Sequence, residues 1–242
     1  MSFCLGIKVA DGLVGIADTR VTSGTARITA RKVTIHQHGR HSIFLMTSGL
    51  RSVRDKALTY FSEILAANDE QYVVVYELVN ALARQIRRVA AEDQEALEKS
   101  GLQFNLHALV GGQLERDEDH KLYMIYPQGN WVEVSTATPY YIIGESGYGR
   151  PILERTLAYE SSLELALKVG FLAFNATIRC AVDVDYPIDV VLYRRNTYEI
   201  FETRFEEHEL ERITRDWQQQ LCRAVDAMDT DWMKPLLRQL PR

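Results

Sequence analysis

The sequence has few cysteines, and those it has are widely separated. Cys4, Cys180 and Cys222 form no Cys-x-x-Cys pair. This count and spacing exclude a disulfide framework and a cysteine-based zinc site of the usual pattern. We expect reduced thiols, each acting as a small buried packing residue.

Long apolar runs and basic clusters are also missing. No segment reaches the roughly 18 consecutive apolar residues of a membrane span. The first fifteen residues include Lys8 and Asp11 and lack the basic and apolar regions of a signal peptide. The net charge is -5 with dispersed lysines and arginines, which argues against a nucleic-acid partner. We expect a cytoplasmic protein that binds neither membrane nor nucleic acid.

Several strand-like segments precede any helical pattern. Apolar runs from Ser2 to Ala10 and from Leu13 to Ala17 are joined by Asp11-Gly12, a strong hairpin signal. The segment Thr25–Ile35 predicts another strand pair, and Ile43–Thr47 predicts a further strand. Four or five strands are therefore expected before the first helix.

Helical and strand-like segments then alternate. Apolar residues at helical spacing predict two helix pairs, each followed by strands. The predicted helices are Leu50–Ala67, Tyr72–Leu97, Gly149–Tyr159 and Ser161–Arg179, and the predicted strands are Phe104–Val110, Lys121–Tyr126, Trp131–Val134, Tyr140–Ile143, Ile188–Tyr193 and Thr197–Arg204.

This order predicts an α+β fold in which two facing sheets are covered outside by helices, a four-layer αββα sandwich. At 242 residues the chain can form one sizeable core, so a single domain over residues 1–242 is expected. Residues 206–242 read as a helical C-terminal extension with one apolar stripe. That stripe packs either on its own domain or on a neighbouring subunit.

The residues that could carry chemistry lie near the start of the chain. Removal of Met1 would give Ser2 a free α-amine, so one residue would hold both a hydroxyl nucleophile and a base with a pKa of roughly 7.7–8.0. An ammonium at Lys32 would favour the neutral amine, and Asp18 would keep that lysine charged and oriented. Each residue alone also fits a common surface role; their joint placement favours the catalytic interpretation.

Two other motifs are interpreted as structural features. His36 and His38 alternate on one strand, but the sequence shows neither the carboxylate nor the third ligand that zinc requires, so polar edge residues are expected. Gly111-Gly112 and the glycines of residues 144–149 lack a phosphate-loop ending and are expected to form turns. The sequence indicates no metal and no other cofactor.

Several segments together resemble a known family. They are Met1-Ser2 before the opening strand, Gly15-Ile-Ala-Asp18-Thr-Arg20, Arg31-Lys32-Val33, Thr47-Ser48-Gly49, Gly144-Glu-Ser146-Gly147-Tyr148-Gly149 and Pro187-Ile-Asp189. In order and spacing they resemble the proteasome β-subunit type of N-terminal-nucleophile hydrolase, most of all the bacterial Anbu, or ancestral β subunit, branch. The resemblance extends to about Arg204.

The resemblance implies roles for individual residues. Ser2 matches the nucleophile, usually threonine in the family, and Asp18 and Lys32 match its acidic and lysine partners. Gly49 matches an oxyanion-hole glycine. Ser146 matches a serine that hydrogen-bonds near the nucleophile's amine. The resemblance gives Arg20 a supporting role, and Asp183, in the segment 179–187, stands in for a second aspartate of the family, although a plain loop carboxylate fits it equally well.

The implied function is a peptidase acting on peptides or unfolded proteins. Serine lacks the β-methyl of threonine and leaves the nucleophile less restricted, and removal of Met1 alone would mature the enzyme. Two alternatives stay open: a catalytically silent structural subunit, if Met1 persists, and a small-molecule amidase on the same fold. The resemblance also implies a homo-oligomeric ring or stacked washer and admits an ATPase or unfoldase partner, which the sequence does not identify.

Overall fold

A computed structural model describes residues 2–23 and 26–240. The chain divides into a compact unit that ends at Glu206 and a second unit that begins at Glu207. Each unit is described by itself. Met1, whose removal the predicted chemistry requires, lies outside the described residues.

The first sheet contains the N-terminal hairpin. Strands β1 (Phe3–Val9) and β2 (Gly12–Asp18) are joined by the predicted Asp11-Gly12 turn. They lie between β10 (Tyr140–Gly144) on one side and the hairpin of β11 (Ile188–Arg194) and β12 (Ile200–Phe205) on the other. All neighbours are antiparallel. This order places the two ends of the hairpin, Phe3 and Asp18, side by side.

The second sheet is a meander in which each strand pairs with the next along the chain. It consists of β5 (Val33–His38), β6 (His41–Gly49), β7 (Leu106–Gln113), β8 (Lys121–Ile125) and β9 (Trp131–Glu133). Between β2 and β5 in the chain, β3 (Arg20–Ser23) and β4 (Ala26–Thr29) form a separate two-stranded ribbon. The ribbon adds one strand, β3, to the four or five that the sequence predicts before the first helix.

Helices cover the outer faces of both sheets. Helices α1 (Arg51–Asn68) and α2 (Val75–Lys99), separated by a 3₁₀ turn at Asp69–Gln71, pack together, with α1 on β6 and α2 on β7 and β8. Helices α3 (Arg150–Thr156) and α4 (Leu163–Ile178) pack together, and α4 lies on β1 and β2. Strands of the first sheet contact those of the second. The predicted α+β, four-layer αββα sandwich is confirmed.

Strand β6 shows how the sequence builds these layers. Its side chains alternate between two apolar clusters: Ile43 and Leu45 join the cluster beneath α1 and α2, whereas Phe44 and Met46 join the cluster between the sheets. Successive side chains of a strand point to opposite faces, so a strand buried on both faces is apolar throughout. The run Ile43–Met46 meets this requirement.

The C-terminal unit is helical. It contains α5 (Glu207–Asp226), a 3₁₀ turn at Asp231–Met233 and the short α6 (Lys234–Leu237). Its large apolar side chains include several that are exposed in this chain: Ile213, Leu221, Val225, Met228, Trp232, Leu236, Leu237 and Leu240. The domain assignment, a single domain over residues 1–242 with a helical extension over residues 206–242, stays a prediction.

The expectation that each cysteine is a buried packing residue is correct for one of the three. Cys4 is fully buried between the sheets, but Cys180 and Cys222 are exposed. Cys180 follows α4 in a loop, and Cys222 lies on α5 of the C-terminal unit. Within the described ranges, no helix combines the length and the apolar character needed to cross a membrane.

Candidate active site

Asp18, the last residue of β2, is the centre of the site. Its side chain is fully buried and accepts three hydrogen bonds. Oδ1 accepts the Phe3 N–H at 2.7 Å and the Lys32 Nζ at 2.5 Å, and Oδ2 accepts the Arg20 N–H at 3.2 Å. A buried carboxylate needs such partners, because desolvation without them is costly.

Lys32 is brought to Asp18 by the turn between the two-stranded ribbon and β5. Lys32 is only 4% exposed, and its ammonium forms an ion pair with Asp18. Burial raises the pKa of the Asp18 carboxyl above its ordinary value, and the Lys32 ammonium together with the Phe3 and Arg20 backbone donors acts in the opposite direction. The predicted pairing of Asp18 with Lys32 is therefore present in the structure.

Ser2 is fixed through the peptide group that follows it. The Ser2 carbonyl accepts the Glu145 N–H at 2.7 Å, and the nitrogen of the same peptide, which belongs to Phe3, donates to Asp18. Gly144 makes the first contact possible: its φ is +88°, and a Cβ there would lie 2.0 Å from the Ser2 oxygen. Both sides of the peptide are thus held, which sets the position of Ser2.

Gly49 ends β6 and lines the same cleft as Ser2. Its φ of +143° lies in a region that favours glycine, and an added Cβ would lie 2.0 Å from the Asn105 oxygen. Only glycine therefore lets β6 end in this conformation. The next residue, Leu50, donates its N–H to that same Asn105 oxygen at 2.9 Å and leads into α1.

Hydrogen bonds and an ion pair connect the loop before β11 to the residues that follow β2. The Thr19 hydroxyl donates to the Pro187 carbonyl at 2.8 Å, and the Thr19 N–H reaches the same oxygen at 3.1 Å. Arg20 forms an ion pair with Asp185 at 2.8 Å. Asp183 lies two residues earlier in this loop, partly buried. The family resemblance matched Asp183 to a second aspartate while a plain loop carboxylate fitted it equally well, and the structure places Asp185 in direct contact with Arg20.

Most of the predicted site residues line a cleft of about 800 Å³. Ser2, Arg20, Lys32 and Gly49 line it, and Asp18 is buried next to Lys32. Ser146 lies two residues beyond Gly144, which lines the cleft, and its carbonyl accepts the Arg150 N–H at the start of α3. The other described lining residues are Val21, Ile28, Thr47, Ser48, Leu50, Arg51, Ser52, Arg54, Gln103, Asn105, His107, Met124, Ile142, Ile143 and Gly144.

The histidines of the β5–β6 hairpin have a partner that the sequence did not reveal. His36 Nε2 lies 2.7 Å from Asp69 Oδ1, while His41 and His38 approach Asp69 Oδ2 at 3.3 and 3.5 Å. Asp69 comes from the 3₁₀ turn after α1, which is why sequence spacing gave no sign of it. Among residues 2–23 and 26–240, no group of three or more potential ligands has the geometry to hold a metal ion.

Three residues of the site were not predicted in these roles: Thr19, Glu145 and Asp185. Thr19 adjoins Asp18 in the chain, but its contact with Pro187 and the contact of Asp185 with Arg20 join distant segments, so the sequence did not show either pairing. Glu145 acts through its backbone N–H, which any residue other than proline supplies. No side-chain signal could therefore have identified it.

Comparison with known proteins gives consistent matches. A family profile described as "Proteasome subunit" matches residues 2–191. Proteasome subunit beta 1 of Pyrobaculum aerophilum is 25% identical over 199 residues, which cover 81% of this chain and 91% of that protein.

Solved structures extend the similarity to most of the chain. An Anbu (Gly-1) mutant from Hyphomicrobium sp. strain MC1 has a TM-score of 0.87 and 26% identity, over 95% of this chain and 99% of that one. A structure described as the helical assembly of the Anbu complex from Pseudomonas aeruginosa has a TM-score of 0.87 and 27% identity, over 94% and 97% of the two chains. The resemblance drawn from the sequence motifs is confirmed.

Proposed function

Because the chain belongs to the proteasome subunit family, we propose that it hydrolyses peptide bonds with Ser2 as the nucleophile after Met1 is removed. The observation that carries this proposal is the buried Asp18–Lys32 pair, which holds residue 2 in place through the Phe3 N–H. The pair places a cation in the cleft that Ser2 also lines. A surface turn would need no such buried ion pair.

In the proposed reaction, the Ser2 hydroxyl oxygen attacks the carbonyl carbon of the scissile peptide bond. The free α-amine of Ser2 accepts the hydroxyl proton and then gives it to the leaving amine as the carbon–nitrogen bond breaks. Water attacks the resulting ester and one of its protons passes to the same α-amine, which then gives that proton to the Ser2 oxygen as the ester bond breaks. The acid product leaves and the Ser2 hydroxyl is restored.

The other site residues support this sequence of steps. The Lys32 ammonium stabilises negative charge that develops on the Ser2 oxygen, and Asp18 holds the ammonium in position. The Gly49 N–H is proposed to donate to the oxyanion of the tetrahedral intermediate. Ser146 is proposed to hydrogen-bond near the α-amine. Arg20, together with a carboxylate of the loop before β11, keeps that loop beside Asp18.

We further propose that the chain acts as a homo-oligomer in the cytoplasm. The similar Anbu chain of Pseudomonas aeruginosa forms a helical assembly, and the C-terminal unit of this chain has many exposed apolar side chains. Such side chains are typical of surfaces that contact a partner. A ring or stacked arrangement and an unfoldase partner belong to the same proposal.

Labelling with an electrophilic probe tests the function. Intact mass first separates protein that retains Met1 from protein that has lost it. Each form is then treated with an epoxyketone or an acylating ester, and the adduct is mapped by peptide mass spectrometry. We expect one adduct, on Ser2, in the Met1-free form, because only this form has the free amine that activates the hydroxyl.

Two variants make the test specific. Ser2→Ala removes the proposed nucleophile, and Ser52→Ala removes another serine hydroxyl from the same cleft. We expect labelling and peptide hydrolysis to disappear in the first variant and to persist in the second. A Met1-free protein that is unlabelled and inactive on peptides would contradict the proposal and favour a structural subunit. Hydrolysis of simple amides but not peptides would favour an amidase.

A further inference from the structure

Ser48 and His107 are neighbours on the inner face of the second sheet. They lie directly opposite each other where β6 pairs with β7. Side chains alternate between the two faces of a strand, and Met46 and Leu109, two residues away on each strand, belong to the cluster between the sheets. Ser48 and His107 therefore point to the same space between the sheets, with Cβ atoms about 4.5–5.5 Å apart as in other directly opposite pairs.

Both side chains are accessible from the cleft that contains Ser2. Ser48 and His107 line this cleft, and neither side chain makes a hydrogen bond to another described residue. In the described part of the chain, the side-chain polar atoms that are both enclosed and without a partner belong to Thr47 and His120. The Ser48 hydroxyl and the His107 ring nitrogens are not enclosed in this way, so a molecule in the cleft can reach them.

The Ser48 hydroxyl lies beside the backbone of residue 2. An atom at the Cβ position of Gly144 would lie 2.0 Å from the Ser2 carbonyl oxygen and 3.1 Å from Ser48 Oγ. The two oxygens are therefore at most about 5 Å apart, a distance that one water molecule bridges with two hydrogen bonds. The Ser2 carbonyl accepts the Glu145 N–H, and a carbonyl oxygen has a second lone pair. A water molecule bound to Ser48 would thus lie next to residue 2.

His107 is neutral at pH 7. Its ring is partly buried, and burial lowers its pKa below the ordinary histidine value. The titratable groups near it on the neighbouring strands are Tyr126, whose ring meets the imidazole edge to face at 6.3 Å, and Tyr141 of the same cluster. No carboxylate is among the described residues that line the cleft, and its charged groups are the cations Arg20, Lys32, Arg51 and Arg54. These cations disfavour an imidazolium, so a ring nitrogen is available as a hydrogen-bond acceptor.

We propose that Ser48 and His107 are positioning residues for the hydrolytic water: Ser48 holds the water that attacks the ester on Ser2, and His107 orients the Ser48 hydroxyl. The inference rests on the proposed function, because it concerns the second half of that reaction. Neither residue takes a proton from the water, which still gives its proton to the Ser2 α-amine. The attack of Ser2 on the peptide bond needs no such water, so the pair acts on hydrolysis of the ester alone.

The charge of His107 decides how the water is oriented. A neutral ring accepts the Ser48 hydroxyl hydrogen, which leaves Ser48 Oγ to accept a hydrogen of the water and leaves a lone pair of the water free for attack. An imidazolium donates to Ser48 Oγ instead. The Ser48 hydroxyl then donates to the water and occupies the lone pair that the attack requires. The water is therefore a good nucleophile only while His107 is neutral.

The test measures the two halves of the reaction separately in full-length, Met1-free protein. The protein is mixed with N-acetylalanine p-nitrophenyl ester. Release of nitrophenol in the first turnover gives the acylation rate, and decay of the acyl mass on Ser2 after the excess ester is removed gives the deacylation rate.

Substitutions of the pair should slow only deacylation. In Ser48→Ala, and in His107→Phe, which keeps an aromatic ring, we expect deacylation to slow about tenfold, the effect of one net hydrogen bond, and acylation to stay within about twofold of the unsubstituted protein. Unchanged acylation also shows that each variant is folded. Ser52→Ala removes another serine hydroxyl from the cleft and should change neither rate.

The pH profile separates orientation of the water from simple packing. Acylation depends on the α-amine alone, whereas deacylation depends on the α-amine and on His107. Deacylation should therefore fall more steeply than acylation as pH decreases through the pKa of His107. His107→Gln keeps a hydrogen-bond acceptor that does not titrate, so it should retain part of the deacylation rate and lose the extra steepness.

The outcomes distinguish this inference from the proposed function. An acyl enzyme of unchanged lifetime in Ser48→Ala, equal losses in both rates, or an extra steepness that persists in His107→Gln would overturn the inference and leave Ser2 as the nucleophile. Absence of any adduct on Ser2 in Met1-free protein would contradict the proposed function and the inference with it.

Discussion

Replacement of Lys32 by methionine is the most direct test of the buried pair. Methionine is apolar and of similar length, so the variant removes the ammonium without a large change in volume. Asp18 then remains fully buried with the Phe3 and Arg20 N–H groups as its remaining described donors. Removal of one partner of a buried ion pair typically costs 3–5 kcal/mol. Because two backbone donors remain, we expect a loss of about 3 kcal/mol in the free energy of unfolding at pH 7.

The loss should depend on pH in a defined direction. Burial already raises the pKa of Asp18, and without Lys32 it rises further. The folded variant then binds a proton that the unfolded chain releases above the ordinary aspartate value. Its stability therefore falls as pH rises between the unfolded and the folded pKa, by at most about 1.4 kcal/mol per pH unit. Lowering the pH from 7 to 5 should recover part of the lost stability.

Urea titrations at pH 5, 6, 7 and 8 measure both effects. The matched control is Lys99→Met, which removes a lysine whose ion pair with Glu95 is exposed; exposed pairs contribute little. The double variant Asp18→Asn with Lys32→Met has no buried charge and should lose the pH dependence. A loss below about 1 kcal/mol at pH 7, or a loss that does not shrink at pH 5, would show that the pair does not hold the site together.

Two further predictions follow from the same region. Gly144→Ala places a Cβ against the Ser2 carbonyl at a positive φ, so we expect a loss of about 1–3 kcal/mol in urea titration together with weaker probe labelling of Ser2; full labelling at unchanged stability would contradict the close approach. Burial raises the pKa of the Cys4 thiol to about 12, which leaves about one thiolate in ten thousand at pH 8, so iodoacetamide should modify Cys180 and Cys222 in native protein but Cys4 only after denaturation. Rapid native labelling of Cys4 would show that the two sheets are not closely packed around it.

The layered fold could be predicted because its signals are local. Asp11-Gly12 fixes the first hairpin, and the apolar run Ile43–Met46 marks a strand buried on both faces, whatever lies elsewhere in the chain. Helix α2 was expected to begin at Tyr72 but begins at Val75. The Val75 N–H donates to Asp117, 42 residues away. That helix start is thus set partly by a contact that local periodicity does not contain.

The site was predictable to the extent that its residues share short segments. Asp18 and Lys32 lie close together in the chain, and their pairing was proposed from the chemistry of a free α-amine and from the family resemblance. The contact between Arg20 and Asp185 joins positions 165 residues apart, and the approach of Asp69 to the histidines depends on the packing of α1 against β6. Such pairings are decided by the tertiary arrangement, which one sequence without relatives does not specify.

The described contacts that hold residue 2 act on backbone atoms of Ser2 and Phe3: the Glu145 N–H donates to the Ser2 carbonyl, and the Phe3 N–H donates to the Asp18 carboxylate. None of these contacts requires the Ser2 hydroxyl or a free α-amine. A substitution of the Ser2 side chain should therefore change catalysis without changing the stability of the fold. Ser2→Ala should abolish labelling and leave the urea midpoint unchanged, whereas Gly144→Ala should reduce both. If Ser2→Ala destabilised the protein as much as Gly144→Ala does, the hydroxyl would have a structural partner, and a catalytic role would no longer be needed to explain why a serine is present there.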